Sequence, residues 1–253
     1  MMRVTLTTRP RAKPFLPVEA EVIVPENFIG NHDLFVFEGN KKRRLEDLFS
    51  VRKDGNVNSP EKVLISLRGD TGRIKRVGEY MSSGKIVIEG EIGMHCGNFM
   101  RGGEIEILGN ADGWLGREMR GGSILCHGNA GNYCAAGYRG EKRGMRGGSI
   151  EVLGNAGDYL AENLTGGDVH VHGNTGMFPG VEMRGGLLTI DGDAWMPGAN
   201  MTKGTCIVHG KVHDMLPTFE RIGEEDGMVI YQGDVAGRGK GELKVRSIQR
   251  DPQ

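Results

Sequence analysis

The sequence predicts an all-β protein: a parallel β-helix of about seven to eight 19-residue coils, closed by capping segments at both ends. Three observations carry this prediction. Glycine makes up 43 of 253 residues, about 17%, against ~7% in ordinary chains. The glycines recur with a 19-residue period and without the Gly-X-Y pattern of collagen. Within each repeat apolar and polar residues alternate, the mark of a strand with one buried face.

The repeat is anchored on an apolar residue three positions before a glycine. The anchors are Met81, Met100, Met119, Met145, Leu164, Met183 and Met201, spaced by 19, 19, 26, 19, 19 and 18 residues. With the anchor at offset zero, offset three is Gly in all seven repeats (Gly84 to Gly204), and so is offset nine (Gly90 to Gly210). Offset five is Ile86, Ile105, Ile124, Ile150, Val169, Leu188 and Cys206; offset seven is Ile88, Ile107, Cys126, Val152, Val171, Ile190 and Val208. These two positions, with offsets zero, eleven and fifteen, are the expected core. The glycines that bound each strand are expected at corners needing positive φ, and the Asn common at offset ten (Asn110, Asn129, Asn155, Asn174) is expected to share that left-handed conformation. One 19-residue unit cannot bury its own apolar face, but stacked units can. Helical repeats need 33 or more residues, and the leucine-rich signature is absent.

Three segments follow from this pattern: 1–64 as an N-terminal capping or docking segment, 65–220 as the Gly-rich β-helix, and 221–253 as a C-terminal capping tail. The first reads as strands Val4–Thr8, Val18–Val24 and Asp33–Glu38, then a charged stretch Lys41–Phe49. Ile65–Glu79 reads as a degenerate first coil. The tail offers strands Met228–Gln232 and Glu242–Arg246. Segments covering the ends are expected because a stacked sheet exposes unpaired edges there.

Charge is balanced, 32 Lys+Arg against 33 Asp+Glu, which argues against nucleic acid or an anionic membrane as a partner. Met1–Pro14 is basic but lacks the apolar region of a secretory signal, and no run of about 18 apolar residues occurs. Cys96, Cys126, Cys134 and Cys206 form no C-x-x-C pair, so four free thiols and a cytoplasmic setting are expected.

The M-R-G-G units at Met100, Met119, Met145 and Met183, the G-G-x-I-x-V-x-G-N coil and the G-K-G-E-L segment Gly239–Leu243 carry a resemblance over nearly the whole chain. The coil resembles the Gly-rich β-helix domain of the glutamate synthase large subunit. As a free-standing chain it resembles the C subunit of tungsten- or molybdenum-containing formylmethanofuran dehydrogenases, and it is similar to the C subunit of the methylotroph formyltransferase/hydrolase complex. The resemblance implies a scaffold without catalytic, cofactor-binding or metal-binding residues of its own. It implies a complex that reduces carbon dioxide to formylmethanofuran, the first step of methanogenesis. The partners implied are a tungsten- or molybdenum-pterin subunit that makes formate, an amidohydrolase-like subunit with zinc that condenses formate with methanofuran, and iron–sulfur subunits with their clusters. The methylotroph scaffold and a detached glutamate synthase domain are alternatives, and a stand-alone β-helical enzyme acting on carbohydrate is the alternative from a different class.

Read from the residues, the chemistry is sparse. His127, His172 and His209 share offset eight but sit on alternate coils, about 9.6 Å apart, too far for shared ligation at ~2 Å. Cys126 and Cys206 take positions filled elsewhere by Ile, Val or Leu. Offset six, running Glu106, Leu125, Glu151, His170 and Thr189, makes no stacked acidic ladder of the kind carbohydrate-active β-helices use. The phosphate-cradling G-x-x-x-x-G-K-S/T motif is absent. One irregularity stands out. The interval Met119–Met145 is seven residues too long, with the excess at Gly137–Gly144. A stacked repeat accommodates an insertion by looping it outward, and Tyr138, Arg139, Lys142 and Arg143 make this loop a candidate partner interface. One face of seven coils covers about 700 Å², close to the ~800 Å² each partner contributes to a standard interface.

Overall fold

A computed structural model describes residues 1–10, 16–30 and 32–249. Part of the basic N-terminal stretch, residues 11–14, lies outside them. The regular structure is almost entirely strand. The N-terminal part holds β1 (Met2–Thr8), β2 (Val18–Glu19), β3 (Phe35–Glu38), β4 (Lys41–Arg44), the one-turn helix α1 (Leu45–Leu48) and β5 (Phe49–Asp54). Then come β6 (Val63–Arg68), β7 (Ile74–Lys75) and one strand per repeat: β8 (Lys85–Ile88), β9 (Glu104–Ile107), β10 (Ser123–Cys126), β11 (Ser149–Val152), β12 (Asp168–Val171), β13 (Arg184–Ile190) and β14 (Lys203–His213). The chain closes with β15 (Glu220–Glu225), β16 (Met228–Gly233) and β17 (Gly241–Gln249).

Thirteen of these strands form one large, mostly parallel sheet in the order β15-β16-β17-β14-β13-β12-β11-β10-β9-β8-β6-β1-β5, and the other four form a small sheet, β4-β3-β2-β7. The repeat sets the register of the large sheet. Offset five aligns as Ile65, Ile86, Ile105, Ile124, Ile150, Val169, Leu188, Cys206 and Leu243 in neighbouring strands. Shifting one strand by a residue would turn both of its core side chains outward, so the alternation holds the pairing. The seven extra residues do not disturb it: Ser123 still pairs with Ser149. Offset eleven forms a second column of parallel bridges, through Ile92, Ala111, Ala130, Ala156 and Thr175. Offsets zero, five, seven and eleven are buried in every repeat, and each fully buried Ile or Val side chain contributes roughly 1.5–3 kcal/mol.

The two invariant glycines serve different purposes. At offset three φ is positive, as at Gly148 (+88°), a conformation open to glycine at little cost. At offset nine φ is ordinary, but the backbones of successive repeats nearly touch. A Cβ on Gly109 would lie 2.6 Å from the carbonyl carbon of Gly90. The asparagines at offset ten depart from expectation, for none has positive φ. Each instead uses its side-chain Oδ1 to accept a hydrogen bond from the backbone N–H one repeat on: Asn110 from Asn129, Asn129 from Asn155, Asn155 from Asn174 and Asn174 from Asp193, all at 2.8 Å. The ladder satisfies backbone donors at the sharp exit from the strand.

The N-terminal segment also differs from the reading of Val18–Val24 as a strand. Only Val18–Glu19 pairs. Ile23 N–H then donates to Ala20 O (2.9 Å), and the chain turns into a 3-10 segment begun by Pro25, which cannot donate to a ladder. The charged stretch becomes β4 plus α1. Its neighbour β5 pairs antiparallel with β1 at one edge of the large sheet, while β15 forms the other edge.

Candidate functional site

The interface candidates sit beside a feature that the period encodes at offset fourteen. His95, Trp114, Tyr133, Tyr159 and Phe178 all occupy that offset, and all have left-handed backbones, with φ from 57° to 69°. Each backbone N–H donates to a carbonyl of the next repeat, as in Tyr133 N to Asp158 O (2.8 Å). Spacing by one strand separation, about 4.8 Å, brings the rings into a continuous stack. Centroids lie 5.2, 5.0, 5.0 and 5.8 Å apart in that order. Burial, with Arg117 nearby, pushes the His95 imidazole down to about 4, so the first ring of the stack is neutral at pH 7.

The seven-residue insertion lies against the start of this stack. Residues 138–143 are exposed, while Gly137 and Gly144 at its base are buried. Tyr138 leans back onto the ladder, with its ring 6.1 Å from Trp114 and 6.4 Å from His95. The Arg117 guanidinium sits between the ring of Tyr138 (4.9 Å) and that of Phe99 (4.5 Å), an arrangement favoured by the ring quadrupole. Arg184 donates to the Lys142 carbonyl at 2.6 Å and so ties the loop to a repeat further along. Among the described residues, the side chains of Arg139, Lys142 and Arg143 form no ion pair. The loop thus presents three unpaired cations beside a tyrosine fixed by aromatic contact.

The outward face of the large sheet carries carboxylates of the kind a carbohydrate-active enzyme would use, Glu104 and Glu106 among them. In the first repeats they share a lysine. Lys85 Nζ lies 3.1 Å from Glu106 and 3.6 Å from Glu104. Its hydrogen bond, with a second from His127, holds Glu106 below the usual carboxylate range, which makes Glu106 a poor proton donor. A nearby open groove is lined by Glu61, Lys85, Glu104 and neighbouring glycines and serines.

The histidines of offset eight reach carboxylates of the preceding repeat, His127 to Glu106 (3.2 Å) and His172 to Glu151 (2.8 Å), and His172 and His209 both approach Asp191. Adjacent rows bring together what a single row does not. His170 at offset six, in β12, stands beside His172 just past the end of that strand, and their rings are 4.1 Å apart. The sequence signal is the H-V-H triplet, since residues i and i+2 of a strand share a face. All four cysteines are free and buried. Burial pushes each thiol up, Cys206 to about 12, so none is a ready nucleophile. No helix among the described residues is long and apolar enough to cross a membrane.

The chain is 50% identical over 237 residues, 89% of its length and 85% of the relative's, to the C subunit of tungsten-containing formylmethanofuran dehydrogenase 2 from Methanococcus maripaludis. It is 44% identical over 85 residues, 32% of its length and 28% of the relative's, to the C subunit of molybdenum-containing formylmethanofuran dehydrogenase 1 from Methanosarcina barkeri. Among solved structures it is similar to a chain of the formyltransferase/hydrolase complex FhcABCD from Methylorubrum extorquens, determined with methylofuran. That likeness has a TM-score of 0.84 at 27% identity and covers 95% of this chain and 98% of the other. No family model matches the chain.

Proposed function

Because the chain belongs to the C-subunit family of formylmethanofuran dehydrogenases, we propose that it is the non-catalytic scaffold of such a complex. In this reading a tungsten- or molybdenum-pterin subunit makes formate and an amidohydrolase-like zinc subunit joins it to methanofuran. Iron–sulfur subunits supply electrons, and this cytoplasmic chain holds the parts together. Its repeats wind as a parallel β-helix. Support comes from three backbone columns that run from repeat to repeat: the parallel strands, the bridges at offset eleven and the hydrogen bonds at offset fourteen. Segments 1–64 and 221–253 act as caps, with β5 and β15 at the two edges of the large sheet.

The observation that carries the docking role is the loop. Tyr138 and the free cations Arg139, Lys142 and Arg143 form an exposed group on a rigid aromatic base, the residue types that anchor interfaces. A base held by stacking and by backbone hydrogen bonds loses little conformational entropy on binding. The carbohydrate-enzyme alternative is disfavoured in the first repeats, where Glu104 and Glu106 are paired with Lys85. A second reading, the C subunit of a formyltransferase/hydrolase complex, is favoured by the structural likeness to FhcABCD, while the higher sequence identity favours the dehydrogenase.

The test is affinity capture of the chain from its native cell, followed by assay of the eluate and of the chain alone. The expected result is co-purification with pterin-bearing and amidohydrolase-like subunits, and formylmethanofuran chemistry in the eluate but not in the isolated chain. Turnover of formate or formyl groups by the isolated chain contradicts the proposal.

A further inference from the structure

On the outward face of the large sheet, His170 in β12 and His172, the residue just past its end, stand on the same side with their rings 4.1 Å apart. Glu151 of β11 and Asp191, just past β13, flank them from the neighbouring repeats. His172 Nε2 lies 2.8 Å from Glu151 Oε1, and its Nδ1 lies 3.2 Å from Asp191 Oδ2. His170 Nε2 is 2.9 Å from the same Asp191 oxygen. His209, one repeat further, approaches Asp191 Oδ1 at 4.0 Å.

In the first repeats, carboxylates of this face are paired with a lysine or arginine: Glu89 has Arg68 and Glu106 has Lys85. Among the described residues, Glu151 and Asp191 have only histidine partners. When the imidazoles are neutral, two negative charges stand uncompensated beside two aromatic nitrogen donors. One donor atom from each of Glu151, His170 and His172 lies within 4.8 Å of the others. Tetrahedral ligands at about 2.0–2.1 Å from a zinc ion stand ~3.3 Å from one another, which falls between the closest of these contacts and that limit. The side chains are a third to a half exposed, so small torsional changes can close the difference. Imidazole donors select zinc-like borderline ions over calcium or magnesium.

We propose that Glu151, His170 and His172 form a site for a divalent transition-metal ion of the zinc class, with Asp191 as the positioning residue that orients both rings. Three protein ligands leave a fourth position open, to water or to a donor from a docked partner. A carboxylate bonded to a ligating histidine fixes its tautomer and ring angle, and Asp191 stands where that partner is required. The ion ties β11 to β12. The proposal rests on this chain's own residues and is independent of the scaffold role.

The experiment uses the full chain, without a histidine tag and stripped by chelator, titrated with zinc chloride by calorimetry at neutral pH and probed with cobalt(II) by visible absorption. We expect one zinc per chain, a rise in melting temperature with zinc, and visible cobalt bands. His170→Gln/His172→Gln should abolish all three, and Glu151→Gln serves as the second variant if the double one folds poorly. Asp191→Asn should weaken zinc about 10–100-fold and shift the cobalt bands while leaving the metal-free melting temperature unchanged; Asp191→Glu should restore most of the affinity. Acidification should release the ion as protons compete for the ligands. Less than a tenth of an equivalent of bound zinc, or zinc bound equally by the wild type and the ligand variants, overturns the proposal.

Discussion

Each repeat passes through left-handed backbone more than once, and two of these bends, at offsets three and fourteen, meet that demand differently. At offset three the residue is always glycine, with φ between 78° and 90°. At offset fourteen it is a large ring, from His95 to Phe178, with φ between 57° and 69°. A residue with a Cβ in this region costs roughly 1–2 kcal/mol. Glycine removes the cost; the rings offset it. A stacked pair contributes about 0.5–1.5 kcal/mol beyond its area burial, and each interior ring of the ladder has two neighbours. The difference lies in space. At offset three the previous repeat's carbonyl occupies the place a side chain would need, whereas at offset fourteen the side chain projects away from the backbone and finds rings on either side.

The largest effect should come from forcing a side chain into the glycine bend. In Gly148→Ala the new Cβ would lie 2.5 Å from the Gly122 carbonyl oxygen and 2.8 Å from Met119 Cε. Left-handed strain and overpacking add, so a loss of about 3 kcal/mol or more is expected in chemical denaturation. The aromatic bend should be softer. Tyr133→Ala removes two stacks and should cost about 1–3 kcal/mol, but Tyr133→Gly should recover ~1 kcal/mol of that because glycine relieves the left-handed strain. An alanine variant as stable as the glycine variant would show that the ring bend is not strained.

Smaller effects separate the first ring from the rest. His95 is pushed down to about 4 when folded, chiefly by burial, against an ordinary value near 6.5. The unfolded chain therefore binds the extra proton first. Stability should be full above about pH 6.5 and fall as pH drops through the window to about 4. His95→Phe should remove that part of the acid sensitivity, as read by melting temperature against pH. The smallest effect on the isolated chain should come from the loop. Replacing Tyr138, Arg139, Lys142 and Arg143 together by alanine should leave the melting temperature within a few degrees of wild type, yet weaken association with the partner subunits by more than ~2 kcal/mol.

The same contrast explains what could be read from the amino-acid sequence. The strand column was legible because Ile86, Ile105, Ile124 and their successors combine a fixed period with a strict alternation. The seven-residue excess at 137–144 was legible as a break in that period. The aromatic ladder has the same period but lies where neighbouring positions vary, and a mixture of ring types hides a shared offset. The role of the asparagines was misread because Asn tolerates left-handed backbone and also accepts hydrogen bonds; only the contacts of Asn110 and Asn129 decide between the two. Of the strands in the terminal segments, β1, β3, β16 and β17 were legible, while β5 and β15 escaped because they lie outside the repeat. Glu220–Glu225 has no apolar alternation and pairs only because β16 turns back onto it. The Glu151–His170–His172 cluster draws on two rows and on neighbouring repeats, so no single column of the period displays it.

On the proposed scaffold reading, this chain joins activities that its partner subunits supply. The most direct measurement is reconstitution: the partner subunits assayed with and without the chain, for each half-reaction and for coupled conversion of carbon dioxide to formylmethanofuran. Carbon dioxide reduction and formyl transfer should each persist without the chain, while coupled conversion should require it and return in proportion to chain added. Full coupled conversion by the partner subunits alone, or turnover by this chain alone, would contradict the scaffold role.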